Sequence, residues 1–277
     1  MEHFCNEDKT KKNEQSCDSS LDHFGKGELQ TFMKRIKLVI AYDGTNYCGW
    51  QIQPNGVTVE DVLNKALTKL LKEEIVVIGA SRTDSGVHAL GNVAVFDTNT
   101  TIPPEKICYA LNQQLPGDIR ILESCEVSSE FHPRYCDTTK TYRYMISNRR
   151  IEIPTQRLYS HFVYFPLDVQ AMKEAATYIE GEHDFKSFCS KRSQVENTVR
   201  TIYELTVEEN CGMIEITIRG NGFLYNMVRI IVGTLIRVGT HMYPPEYVKT
   251  IIEAKDRKKA GPKVPAKGLT LVEIKYQ

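Results

Sequence analysis

The chain has 277 residues, of which 41% are hydrophobic and 25% charged, and its formal net charge is zero. This composition is typical of a globular protein with one large domain or two small ones. No apolar run approaches the roughly 20 residues of a membrane span, and Met1–Cys5 lack the apolar segment of a secretory signal. We therefore expect a cytoplasmic protein that does not enter a membrane.

The charge is distributed unevenly although it sums to zero. Residues 1–33 carry seven acidic and four basic side chains, so residues 34–277 carry 28 acidic and 31 basic ones, a net charge of +3. The first 33 residues show no sustained apolar period, and we expect a disordered acidic extension with at most a transient helix at 21–32. The basic body permits RNA binding, because affinity for phosphates depends on local clusters of cations.

The eight cysteines are scattered without a Cys-x-x-Cys pair, and the seven histidines do not cluster near them. Zinc sites need closely spaced ligand pairs, and disulfide frameworks belong to small secreted chains. We predict free thiols, mostly buried, and no bound metal.

Apolar periodicity predicts alternating strands and helices through the first part of the body. Thr58 followed by Asp61 is typical of a capped helix start. In chain order we predict a strand at 35–42, a loop at 43–51, a helix whose buried face spans 62–71, strands at 75–78 and 93–96, a helix at 104–115 and a strand at 119–127.

The second part repeats this general pattern. Alternation places Tyr142, Tyr144 and Ile146 on one face of a strand. Asp168 is a candidate helix cap. We predict strands at 140–146, 200–207 and 213–219, helices at 168–179 and 223–236, and a last strand after 271.

The loop at 79–90, between the strands predicted at 75–78 and 93–96, holds a carboxylate, a guanidinium, an imidazole, hydroxyls and two glycines. Loops on a rigid scaffold are where catalytic groups usually lie. The alternative is that Asp84 only caps a turn, since Asp is common beside Gly in turns.

Arg229 is the one charge in the nearly all-apolar helix predicted at 223–236. Burying an unpaired guanidinium is costly, so Arg229 should have a carboxylate partner, either a structural acid or Asp84. Gly233 lies one turn further on the same face and would permit a close backbone approach.

Several separated motifs resemble one family. Arg82–Ala89 (RTDSGVHA) resembles the active-site loop of the TruA-type tRNA pseudouridine synthases, although Ser85 stands where members often have Ala. The resemblance extends over residues 35–276 and includes four further stretches: Tyr42–Gln51, the Lys140-x-Tyr142-x-Tyr144 strand, residues 220–239, and Pro265–Leu271.

The resemblance implies roles for four residues. Asp84 would be the nucleophile, Arg229 would pair with it, and Tyr142 would pack on the target uridine. Arg82 would fill the space that the uridine vacates. For Tyr142 the alternative is a plain core tyrosine, and for His88 a structural loop contact is favoured over contact with RNA.

The resemblance also implies an α+β fold of two similar halves, 34–138 and 139–277. Their antiparallel sheets would join side by side, with helices on one face and a catalytic cleft between the halves. The implied function is isomerisation of uridine to pseudouridine in the anticodon stem-loop of tRNA, at tRNA positions 38–40, by a homodimer without a cofactor. Chain-wide, no dinucleotide glycine fingerprint or Walker loop occurs.

Candidate phosphate contacts fall into three basic groups, each of which could equally be solvated surface. Three alternatives remain open: a synthase acting on other uridines, a catalytically silent RNA-binding protein, and a hydrolase. The hydrolase is disfavoured because no second acid lies in the Asp84 loop. The basic groups are Lys140, Arg143, Arg149, Arg150 and Arg157; Lys186, Lys191 and Arg192; and Lys255–Lys259.

Overall fold

A ten-stranded sheet runs through the part of the chain that the computed structural model describes, residues 33–190 and 196–277. Apart from Met33, the predicted extension and its helix at 21–32 lie outside the described residues. The strands are β1 (Lys34–Tyr42), β2 (Ile78–Gly79), β3 (His88–Thr98), β4 (Ile119–Val127), β5 (Thr138–Asn148), β6 (His161–Val163), β7 (Gly181–Asp184), β8 (Val199–Asn210), β9 (Met213–Gly220) and β10 (Leu269–Tyr276).

The strand order is β4-β1-β3-β10-β5-β9-β8-β7, with β2 paired to β3 and β6 paired to β5. All pairings are antiparallel except β10 with β3 and β6 with β5. The last strand of the chain therefore lies between a strand of the first part and a strand of the second, and joins them into one sheet.

Directly paired residues of neighbouring strands lie on the same face of the sheet. The strand register therefore places a row of buried side chains across β1, β3, β10, β5 and β9. Tyr42 pairs with Ala89, Ala89 with Leu271, Leu271 with Tyr142, and Tyr142 with Ile218. All five are buried. The core is thus continuous from β1 to β9.

Five α-helices of the described residues pack with the sheet around one hydrophobic core, which gives the predicted α+β class. Thr58 Oγ1 accepts a hydrogen bond from Asp61 N over 3.4 Å, and Asp168 Oδ1 accepts one from Ala171 N over 3.0 Å, so both predicted caps are present. None of the helices in the described ranges is long and apolar enough to cross a membrane. They are α1 (Val59–Leu71), α2 (Ile107–Asn112), α3 (Val169–Thr177), α4 (Met227–Gly239) and α5 (Tyr247–Ala254).

The strand predicted at 75–78 is wrong except for its last residue. The backbone N–H of Ile75 donates to Thr68 Oγ1, and that of Val77 donates to Asn64 Oδ1, over 3.2 and 2.9 Å. Side chains of α1 therefore bind the groups that a strand would offer to a neighbour. Only at Ile78 does β2 begin, and β3 already starts at His88, so the connecting loop is shorter than the predicted 79–90.

Two predicted helices differ from the structure at their ends, and α5 has no counterpart among the predicted helices. The helix predicted at 104–115 is reduced to α2 behind a short 3₁₀ turn at Pro104–Lys106, and it ends where the Asn112 side chain pairs with the backbone of Ile121. The helix predicted from residue 223 begins only at Met227, because Asn226 adopts a left-handed conformation with φ 62°.

The division into halves at 138/139 stays a prediction, since both parts share one sheet and one hydrophobic core. The prediction of mostly buried thiols is wrong for the described cysteines. Cys108 and Cys189 are buried, Cys48, Cys125 and Cys136 are half-buried, and Cys211 is exposed.

Candidate active site

A cleft of about 690 Å³ is lined by residues of the neighbouring strands β5 and β10 and of the segment that leads into β3. One wall is the segment at 80–87 that leads into β3, here called the aspartate loop. The floor includes Tyr142 of β5, and the other wall is the segment at 223–229 that opens α4. All four residues predicted for the site line this cleft: Arg82, Asp84, Tyr142 and Arg229.

The predicted ion pair between Arg229 and Asp84 is present. Arg229 Nη1 donates a hydrogen bond to Asp84 Oδ2 over 3.1 Å, and the two side chains are 10% and 24% exposed. Asp84 Oδ1 accepts no hydrogen bond from any residue of the described ranges. One carboxylate oxygen is therefore held in place while the other is available to a ligand in the cleft.

The Arg229 guanidinium is positioned by two further acceptors. Its Nε donates to the carbonyl oxygen of Val264 over 2.8 Å, and its Nη1 also donates to Asn226 Oδ1 over 3.1 Å. Gly233 makes this possible, since a Cβ there would lie 1.8 Å from the carbonyl oxygen of Pro262. The close backbone approach predicted at Gly233 thus brings Val264 within reach of Arg229.

The loop at 43–51 packs against the aspartate loop and hydrogen-bonds to its backbone. Trp50 N donates to the carbonyl oxygen of Thr83 over 3.1 Å, and the Trp50 side chain is fully buried. Gly49 has φ +87°, and a Cβ there would lie 2.5 Å from the same Thr83 oxygen. The two loops contact each other through backbone, so the residue before Asp84 has little freedom to move.

Tyr142 lines the cleft and is also part of the hydrophobic core. It is 9% exposed, and its ring meets that of Phe223 edge-on, with centroids 5.0 Å apart. Burial raises the pKa of Tyr142 to about 12, and the negative charge of Asp84 acts in the same direction. The phenol is therefore protonated at neutral pH.

Two cations besides the predicted site residues reach the cleft. Arg134 comes from the turn before β5, and Lys140 lies on β5 two residues before Tyr142. Burial lowers the pKa of Lys140 to about 8, with contributions from the positive charges of Arg134 and Arg200. Arg143, which belongs to the same predicted basic group as Lys140, lies on the opposite face of the strand by alternation.

Phe223 and Arg134 were not predicted for the site. Phe223 lies in the predicted helix at 223–236, and it falls outside α4 because the left-handed Asn226 delays the helix start to Met227. Arg134 had no signal beyond its charge, because its place depends on a hydrogen bond from its Nε to the distant carbonyl oxygen of Gly79, over 2.6 Å.

His88 has the structural role that was favoured for it. It is 5% exposed, and its Nδ1 accepts from Gly44 N over 3.1 Å. Its Nε2 lies 3.1 and 3.2 Å from the carbonyl oxygens of Leu158 and Lys267. Both ring nitrogens are thus bound within the fold.

The predicted phosphate contacts of the basic groups and the predicted absence of a metal stay predictions. Lys191 and Arg192 of the second basic group lie outside the described residues, and the roles of the three groups stay predictions. Within 33–190 and 196–277, no three His, Cys, Asp or Glu side chains come together as a metal site would require.

Comparison with known proteins identifies the family. Residues 38–136 and 175–277 match the family model described as tRNA pseudouridine synthase. Curated relatives named tRNA pseudouridine synthase A are similar over their whole length. The protein of Ruminiclostridium cellulolyticum is 52% identical over 246 residues, and those of Thermoanaerobacter sp. strain X514 and Brevibacillus brevis are each 50% identical over 244 residues. Each alignment covers 88% of this chain and 100% of the relative. The chain therefore belongs to the TruA-type tRNA pseudouridine synthase family.

Proposed function

We propose that this protein isomerises uridine to pseudouridine in the anticodon stem-loop of tRNA, at tRNA positions 38–40, with Asp84 as the nucleophile. The observation that carries the proposal is the half-occupied carboxylate. Arg229 holds one oxygen of Asp84, and the other faces no hydrogen-bond donor among the described residues. A nucleophile needs an oriented atom with a free lone pair, and this arrangement supplies one.

The reaction balances without a redox partner. The bond from N1 to C1′ breaks, the base turns, and a bond from C5 to C1′ forms. The proton leaves C5, and N1 ends with a proton. Asp84 can attack either ribose C1′ or base C6, and both routes are compatible with a carboxylate at this place.

Tyr142 is assigned to stacking on the uracil ring. An aromatic floor suits a nucleobase taken out of its stack. Because its pKa is raised to about 12, Tyr142 is a poor resting base for the C5 proton at neutral pH. Its contribution is therefore to hold the plane of the base beside Asp84.

Arg82 is assigned the role of filling the space in the RNA stack that the flipped uridine vacates. It is exposed at the rim of the cleft, two residues before Asp84. A long cationic side chain there can fill the gap and face phosphates.

In this proposal the cleft of about 690 Å³ receives the target nucleotide, and the rest of the stem-loop lies on the outer surface. We infer a homodimer in which one tRNA contacts both subunits, acting in the cytoplasm where tRNA is matured. Recognition of several uridines by one cleft would depend on RNA shape more than on base identity.

The test uses tRNA with tritium at uridine C5, incubated with the wild-type protein and with Asp84→Ala. Formation of the new carbon–carbon bond expels the tritium. Release by the wild type and none by the variant is the expected result, and mapping the product then gives the positions.

Three results would support the alternatives. Absence of release with wild-type protein, together with equal tRNA binding by both proteins, would favour a silent RNA-binding protein. Release with products at other positions would favour a synthase that acts on different uridines. Free uracil as product would indicate a hydrolase.

A further inference from the structure

We propose that Lys140 and Arg134 form a subsite for the phosphodiester next to the target nucleotide, so that the base lies on Tyr142 and its phosphate on the cationic wall. The inference rests on the proposed function and adds which residues hold the backbone of the flipped nucleotide.

Both cations are anchored to consecutive carbonyls at the entrance of the aspartate loop. Arg134 Nε donates to the carbonyl oxygen of Gly79 over 2.6 Å, and Lys140 Nζ donates to that of Ala80 over 3.4 Å. These bonds use one donor of each group. The remaining N–H groups have no hydrogen-bond partner among the described residues, and both side chains line the cleft.

The charges around this pair are mostly positive. The positive charge of Arg82 acts on Arg134, those of Arg134 and Arg200 act on Lys140, and Glu60 is an acid whose charge acts on Arg134. Neither Arg134 nor Lys140 forms an ion pair with a carboxylate in the described part of the chain. An anion bound between them would relieve their repulsion.

Burial and these cations lower the pKa of Lys140 to about 8. A partly desolvated ammonium without a carboxylate partner destabilises the fold relative to an apolar side chain of similar size. Packing alone therefore does not explain a lysine at this position. A phosphate would stabilise the charged form.

The spacing along β5 fits one nucleotide. Lys140 and Tyr142 lie on the same face, about 7 Å apart along the strand. A base stacked on Tyr142 has its own phosphates at a comparable distance, whereas the phosphates of the stem are further away.

The test compares Lys140→Met with the matched control Lys173→Met, in which an exposed lysine of α3 outside the cleft is changed. All proteins carry Asp84→Asn so that the RNA stays unchanged. Anticodon stem-loop RNAs with an all-phosphate backbone, or with a neutral methylphosphonate on either side of the target uridine, are titrated by fluorescence anisotropy.

We expect Lys140→Met to weaken binding of the all-phosphate RNA about tenfold and to reduce the slope of log affinity against log salt by about 0.7. With one of the two methylphosphonate RNAs, Lys140→Met should have no further effect. Lys173→Met should behave as its parent with every RNA. Because methionine removes a half-buried charge that forms no ion pair in the described part of the chain, the variant should fold with an unchanged or raised melting temperature.

An equal loss for Lys140→Met with all three RNAs would overturn the subsite, since it would mean that Lys140 acts through the general field of the protein. So would unchanged affinity. Tritium release by the wild type is measured separately, so failure of the subsite is distinguishable from failure of the synthase proposal.

Binding should also respond to pH in a way that identifies Lys140. As the pH rises from 7 to about 9 the free lysine loses its proton, so the affinity of the Asp84→Asn parent should fall relative to that of the same protein with Lys140→Met. Parallel pH profiles for the two proteins would contradict the proposal.

Discussion

Two arginine–aspartate pairs in this molecule are built differently. Arg35 and Asp97 face each other on β1 and β3, and Nε and Nη2 of Arg35 donate to the two oxygens of Asp97, each over 2.8 Å. Arg229 contacts one oxygen of Asp84 over 3.1 Å, and its other donor bonds go to Val264 and Asn226. The first pair uses the whole carboxylate, and the second leaves half of it free.

If Asp84 is the nucleophile, as we propose, this difference separates a structural carboxylate from a reactive one. A bidentate pair satisfies both oxygens and stabilises the fold modestly. A carboxylate held by one oxygen is oriented, yet it keeps a lone pair for chemistry. The arginine of such a pair must itself be anchored elsewhere, as Arg229 is.

The largest expected effect comes from exchanging the two aspartates for asparagine. Asp84→Asn should lower tritium release by at least about 10⁴-fold, because the nucleophile is lost. Asp97→Asn should leave release unchanged and lower only stability. Single-turnover rates and thermal melts of both variants check this, and comparable activity of the two variants would refute the distinction.

Arg229→Met should lower the rate about 10²-fold, since Asp84 then loses its orienting partner. The effect should fall on kcat more than on KM. Arg229→Lys should restore little of the lost rate, because a lysine ammonium lacks the planar set of donors with which the guanidinium bonds to Val264, Asn226 and Asp84. The control is Arg35→Met, for which normal kcat is expected. A normal kcat for Arg229→Met would show that the pair is only structural.

Gly233→Ala tests the anchor of Arg229. The new Cβ would lie 1.8 Å from the Pro262 carbonyl oxygen, so α4 and the segment carrying Val264 must separate, at a cost of about 3 kcal/mol in unfolding free energy. Gly117→Ala is the matched control, because no atom lies within 4 Å of its added Cβ. Urea denaturation measures both, and equal stability of the two variants would exclude the close approach.

The smallest effect concerns acid stability. The Arg35 hydrogen bonds lower the pKa of Asp97 below its usual 3.8, so the pair stabilises the fold above that pH, and the stabilisation is lost as the pH falls through the lowered pKa. The stability difference between wild type and Asp97→Asn should be below about 1 kcal/mol near pH 6 and should shrink below pH 4. A difference that grows on acidification would have the wrong sign.

The sequence by itself determined the elements whose signals are local. The capped start of α1, the limits of β4 and the alternation of Tyr142 with Tyr144 all depend on neighbouring residues, and the structure has them as predicted. Motif resemblance named Asp84, Tyr142, Arg229 and Arg82, and all four line one cleft.

Only the tertiary structure decided where backbone groups find their partners. Side chains of α1 bind the N–H groups of Ile75 and Val77, which shortens a strand that β-branched residues favour. The left-handed Asn226 delays α4 and places Phe223 in the cleft. Alternation in the sequence puts Lys140 on the same strand face as Tyr142. Its desolvation and the nearby charges of Arg134 and Arg200 come from segments distant in the chain, and they lower the pKa of Lys140. A sequence pattern indicates which face of a helix or strand is apolar. Which distant residues become hydrogen-bond or charge partners depends on how the elements pack in the tertiary structure.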